Sequence, residues 1–168
     1  YNSQESDRAT QVEARLCSYD FYANGIEAIG VCPKIASTNP GIDIYKLKDK
    51  SKQEFENVVC LQRERDAKMI AKYKQSVSCS YTPSILAYYS LSQMFETLKV
   101  PPAVIRTIDV ETHKKIRAQA LKIVASNKDE LIAKTWGGEW ARPYRNKSSE
   151  SGQRVWTQDF TQIYGALV

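Results

Sequence analysis

Apolar positions recur with helical spacing over residues 5–16, where Ala9, Val12 and Leu16 share one face. A hairpin is predicted next, because Asn24-Gly25 in CSYDFYANGIEAIGVC suits a two-residue type I′ turn. Asn39-Pro40-Gly41 marks a loop, and a strand over 42–48 follows. Residues 54–62 and 68–77 read as two strands joined by the charged turn RERDA. The clearest helix runs from Pro83 to Leu98, with Thr82 as N-cap and Ala87, Leu91, Met94, Phe95 and Leu98 as its inward stripe. A short strand at 103–109 leads into a helix over about 110–125, capped by Asp109 or Thr112, with Ile116, Ala120, Leu121 and Val124 inward. Asn127 and Glu130 form a capping box for a helix ending near Thr135. WGGEWARPY reads as a loop, residues 145–154 as a polar connection, and the last fourteen residues as an apolar segment.

Strands dominate the first half and helices the second. The expected class is therefore α+β, an antiparallel sheet of about five strands packed against three or four helices. The 168 residues suit a single domain, 1–168, or a lobe of a longer protein whose remainder, or a partner protein, would then be a neighbour. No apolar run approaches the roughly 20 residues that span a bilayer.

The net charge of +5 makes an anionic ligand reasonable. Nucleic acid is disfavoured, since only fragments such as Tyr45-Lys46 and Lys72-Tyr73-Lys74 interleave basic and aromatic residues. Lys46, Lys48, Lys50 and Lys52 fit one face of an aggregation-resistant edge strand. A single histidine, His113, excludes a multi-His metal site, and no metal is expected; His113 itself reads as a surface residue in the first turn of its helix. Phosphate-loop, dinucleotide and nucleophile-elbow motifs are absent.

Four cysteines, Cys17, Cys32, Cys60 and Cys79, include no C-x-x-C pair. With Asn24-Gly25 as the hairpin loop, cross-strand partners have numbers summing to 49, which sets Cys17 opposite Cys32. That register predicts a Cys17–Cys32 disulfide and leaves Cys60 and Cys79 as candidates for a second. Bridges imply an oxidising, extracytoplasmic compartment, periplasmic or secreted, and the polar start YNSQESDRAT agrees with a site just behind a removed export signal.

The most distinctive segment is AKMIAKYKQSVSCSYTPSILAYYSLSQMFETLKVPPAVIRTID. A lysine-bearing strand, a helix with an L-S-x-x-hydrophobic ending, and V-P-P-x-V opening a strand resemble part of the N-terminal lobe of atypical kinases, secreted and HipA-like, over residues 68–109. The resemblance implies a strand lysine that grips nucleotide phosphates, with ATP and magnesium as cofactors. Lys72 and Lys74 share one face of the strand, so spacing leaves both open for that role. The helix carries no acid before Glu96, no glycine occurs over residues 42–136, and no catalytic-loop residues follow. Catalytic residues are therefore unassigned.

A second candidate lies in WGGEWARPY. Trp136, Trp140 and Tyr144 with Glu139 and Arg142 suit a ligand-binding loop for a sugar or peptide. Two functions thus compete: a kinase-lobe-like portion of an exported protein, facing a phosphate or nucleotide, and a non-enzymatic extracytoplasmic module that binds glycan, peptide or protein.

Overall fold

The computed structural model describes residues 3–24, 28–37, 39–47, 49–62, 65–77, 81–97, 99–127, 130–145, 147 and 154–168. In chain order the elements are α1 (Ser3–Ser18), β1 (Ile29–Pro33), β2 (Ile42–Lys46), α2 (Lys52–Val58) with a 3-10 turn (Val59–Leu61), and β3 (Met69–Gln75). Then come α3 (Thr82–Met94), β4 (Val104–Asp109), α4 (Val110–Asn127), α5 (Glu130–Gly138), α6 (Arg142–Arg145) and β5 (Gln162–Leu167). The strands form one sheet in the order β1-β2-β3-β5-β4, with every neighbouring pair antiparallel. The class is α+β as expected, with six α-helices among the described residues.

Strand β5 fills the sheet's interior late in the chain. Between β3 and β4 it lets Tyr73 meet Leu167 on one side and Val104 meet Leu167 on the other. A Cβ at Gly165 would overlap the Tyr73 ring, so only glycine admits that buried tyrosine, whose hydroxyl donates to Ile163 O at 2.8 Å.

Each face of the sheet carries its own core. On one, Val31, Ile42, Ile44, Ala71, Tyr73, Ile108 and Leu167 meet Leu16 of α1, Ile116, Ala120 and Val124 of α4, and both Trp136 and Trp140. On the other, Cys32, Tyr45 and Leu47 meet Phe55, Val59 and Cys60.

Several expectations are corrected. The first hairpin does not form, because α1 continues through Cys17 to Ser18. Asp20 Oδ1 then accepts from the backbone N–H of Tyr22 at 2.8 Å and of Ala23 at 3.2 Å, turning the chain. Cys17 is helical and exposed, so it is not the partner of Cys32. That partner is Cys60, with a Cα–Cα distance of 5.2 Å. Gly25 and Cys79 lie outside the described residues.

The strand expected over 54–62 is instead α2 and its 3-10 turn, begun by Ser51, whose hydroxyl accepts from Glu54 N at 3.2 Å. The four-lysine edge strand fails as well. Strand β2 is interior to the sheet and ends at Lys46, Lys50 lies in a bend, Lys52 opens α2, and Lys48 is outside the described residues. Helix α3 buries Thr82, Tyr89 and Ser92, whereas Leu91, Met94 and Phe95 stand at 43%, 76% and 72% exposure. Asp109, not Thr112, caps α4: its Oδ1 accepts from Glu111 N at 3.0 Å and Thr112 N at 2.9 Å. Among the described residues no helix is long and apolar enough to cross a membrane.

Candidate functional site

Along β3 the side chains alternate. Ala71, Tyr73 and Gln75 are buried, which sends Lys72 and Lys74 to the opposite face. The backbone of Lys72 is fixed by two bonds to Val168, N–H to O at 2.8 Å and O from N–H at 2.9 Å. On β2, Asp43 stands directly across from Lys72. Lys34, just beyond β1, is the third cation here, and burial together with the Lys72 and Lys74 charges lowers its pKa while Asp43 opposes that shift. Burial raises the Asp43 pKa despite the nearby Arg65, Lys72 and Lys34 charges.

Arg65 is occupied structurally. Its guanidinium donates to Pro33 O at 2.9 Å, Cys60 O at 3.2 Å and Tyr45 Oη at 3.2 Å, and lies 3.6 Å from Asp43 Oδ2. Among the described residues, Asp43 Oδ1 and Arg65 Nε are buried without a hydrogen-bond partner. Lys34, Lys72 and Arg65 thus act on the Asp43 carboxylate, and Lys74 adds a further positive charge beside Lys34. Like charges held together by a fold destabilise it unless a counter-anion relieves them. Helix α3 starts where β3 ends, with Thr82 Oγ1 donating to Lys74 O at 3.3 Å. It brings no acid to the lysines, and Glu96 lies past its end.

The aromatic segment is placed quite differently. Trp136 belongs to α5, Arg142 and Tyr144 belong to α6, and Glu139 and Trp140 form the turn between them. Both tryptophans are fully buried, their ring centroids 4.8 Å apart, so they present no platform to a sugar. Arg142 and Tyr144 are half-buried.

His113, expected at the surface, is fully buried and stacks on Trp140 at 4.1 Å. Its Nδ1 meets the Tyr144 hydroxyl and its Nε2 meets Gln75 Oε1. Gln75 Nε2 donates to Trp140 O at 3.3 Å, which leaves Gln75 Oε1 as acceptor, His113 Nε2 as the protonated nitrogen and Tyr144 as donor to Nδ1. Trp140 Nε1 closes the ring by donating to His113 O at 3.1 Å. Burial pushes the His113 pKa down to about 3, so the imidazole is neutral. This chain matches donor to acceptor around a neutral ring and suits a structural knot.

The sequence reading found Lys72 and Lys74 but missed Lys34, Asp43 and Arg65, which only the strand order brings beside them. His113 had a signal: positions 113, 116, 120 and 124 fall on one helical face, and the last three are apolar. Among the described residues no three His, Cys, Asp or Glu side chains cluster as a metal would need. Comparisons with models of known families, with curated proteins and with solved structures find no match.

Proposed function

We propose that the chain is a kinase-lobe-like module of an exported protein, binding the phosphates of a nucleotide or a related polyanion at Lys34, Lys72 and Lys74. The observation that carries this reading is the charge imbalance: Lys34, Lys72 and Arg65 all act on the Asp43 carboxylate, and Lys74, on the same strand face as Lys72, adds its charge beside Lys34. An anion lying across Lys72 and Lys74 would relieve their repulsion and gain charge-assisted hydrogen bonds. The resemblance over residues 68–109 supports the same face, since it assigns the phosphate grip to a lysine on a strand that precedes a helix. Asp43, across from Lys72, offers the nearby acid that α3 lacks. No catalytic step is assigned.

Export is supported by the Cys32–Cys60 pairing, which persists in oxidising compartments. The competing reading, a binding module working through the Trp136–Tyr144 loop, loses its main support with both tryptophans buried.

The test is thermal denaturation of the protein with ATP and with tripolyphosphate, each with and without magnesium. At a ligand concentration 100 times Kd, binding adds about 2.7 kcal/mol to stability, a shift of several degrees at this size. A shift in the wild type that disappears in Lys72→Gln/Lys74→Gln supports the reading. No shift at millimolar ligand, or an equal shift in the double variant, overturns it.

A further inference from the structure

Helix α3 wears its amphipathic pattern the wrong way round. Toward the fold it buries Thr82, Tyr89 and Ser92, with Ile85 and Leu86 half-buried. Polar contacts hold this inward stripe: the Tyr89 hydroxyl donates to Glu13 of α1, and Gln93 Nε2 donates to the Tyr89 oxygen at 2.9 Å. Outward, Tyr88, Leu91, Met94 and Phe95 stand exposed, joined by Tyr81 at the N-cap, which is 53% exposed. No charged residue occurs from Tyr81 to Phe95. Solvent-facing helix surfaces ordinarily carry the charged and polar residues. A contiguous apolar patch left in their place marks an interaction site.

The outward residues have a definite order. Positions 81, 84, 88, 91 and 95 step by three and four, the spacing along which one helix packs on another. Tyr88 is the centre of this series, with a ring at each end, small Ser84 on one side and large Leu91 on the other. Two such helices running antiparallel about a twofold axis at Tyr88 would set Tyr81 against Phe95 of the second copy. Ser84 would then leave the room that Leu91 of the second copy fills. The Ser84 hydroxyl already donates to Tyr81 O at 2.6 Å, so covering it strands no polar group.

We infer that this face joins two copies of the chain in an antiparallel, twofold α3–α3 contact. Each copy carries a net charge of +5, so two copies meet best on a surface free of charge, and pairing about Tyr88 sets no like charges face to face. Large aromatic side chains can bury about 200 Å² each. At their observed exposures, Tyr81, Tyr88, Leu91, Met94 and Phe95 offer roughly 600 Å² per copy on that scale. Specific interfaces begin near this figure, at about 1,200 Å² over both partners. A lipid surface is a poorer occupant, because interfacial helices flank their apolar face with lysine and arginine, and α3 has neither. The contact uses none of the residues assigned to anion binding and stands or falls separately from them.

Sedimentation velocity of the protein from about 1 to 300 µM, a range that spans micromolar affinities, tests the inference. The wild type is expected to shift from monomer toward dimer as concentration rises. Tyr88→Lys sets two ammonium groups at the axis and should weaken dimerisation about tenfold or more. Its melting temperature at low concentration should stay that of the wild type, because Tyr88 is 65% exposed. Tyr88→Glu should act alike, and mixing the two variants should restore a dimer, since their charges then oppose. Leu131→Lys, at an exposed position of α5, should change nothing. A monomer throughout the range, a dimer indifferent to Tyr88→Lys, or a mixture of the two variants that stays monomeric overturns the proposal. A monomer that instead co-sediments with phosphatidylglycerol vesicles would assign the face to lipid, which also overturns it.

Discussion

Strand β3 feeds two polar regions that obey opposite rules. Gln75 points into one core and joins His113, Tyr144 and Trp140 in a closed ring of donors and acceptors around a neutral imidazole. Lys72 and Lys74, one residue away in the alternation, point to the other face, where Lys72 joins Lys34 and Arg65 at the Asp43 carboxylate and Lys74 adds its charge beside Lys34. The ring is buried and balanced, so its polarity stabilises and orients the fold. The lysine face is only partly buried and unbalanced, so its like charges work against the fold. Balance separates polarity that holds the fold from polarity that strains it, and the proposed anion site rests on the second kind.

Acid is the strongest way to break the balanced side. His113 titrates at about 3 in the folded chain against an ordinary 6.5, so across that window the unfolded chain binds the extra proton. Stability is present above pH 6.5 and is lost as the pH falls toward 3, by at most about 5 kcal/mol. Urea denaturation at pH 7, 5.5 and 4 measures the loss, and in His113→Gln the dependence over this window should flatten. An unchanged slope in that variant would remove His113 as its cause.

Removing the disulfide acts next, and on the other side. Cys32 and Cys60 are separated by 28 positions, and opening a loop of that length costs roughly 3.5 kcal/mol. Arg65 donates to Cys60 O and Asp43 stands beside it, so Cys32→Ala/Cys60→Ala should also loosen the carboxylate among the lysines. Denaturation of that variant should show the full loss, with Cys17→Ser as a control that changes little, because Cys17 is exposed and unbridged.

Tyr144→Phe is milder. It removes the donor to His113 Nδ1 and should cost about 1–2 kcal/mol, leaving an imidazole nitrogen unsatisfied. Chemical denaturation checks it. A neutral effect would mean that the Gln75 bond and packing on Trp140 hold the ring without Tyr144.

Periodicity carried the sequence reading where local signals and tertiary packing agree. Strand β3, strand β4 and helix α4 lie within a few residues of their expected places, because alternation and the Asp109 cap are local. Helix α2 was lost to the β-branched run Val58-Val59, although Ser51-x-x-Glu54 is a capping box that announces a helix. The Cys17–Cys32 pairing followed a sound register rule applied to a hairpin that α1 overrides by running through Ser18. Trp136 and Trp140 flank a Gly-Gly pair that looks like a hinge, yet Gly137 and Gly138 end α5 with open space where a side chain would lie, and the rings turn inward. Half the lysine site was legible because Lys72 and Lys74 share a strand. Lys34, Asp43 and Arg65 were not, because they come from three separate segments joined only by the sheet order and the disulfide.

The smallest expected effect separates the two regions most sharply. If Lys74 is part of an uncompensated cluster, Lys74→Gln relieves repulsion and should stabilise the ligand-free protein by a few tenths of a kcal/mol at low salt. Raising the ionic strength screens the same repulsion in the wild type, so the advantage of the variant should shrink toward zero by about 1 M salt, where screening acts within roughly 3 Å. The ring around His113 has no such signature, since a neutral cluster gains nothing from screening, and Tyr144→Phe should lose the same stability at every salt concentration. A Lys74→Gln variant that is destabilised, or whose gain ignores salt, would mean that Asp43 already neutralises this face. The lysines would then be ordinary surface charge, and the phosphate reading would lose the imbalance on which it stands.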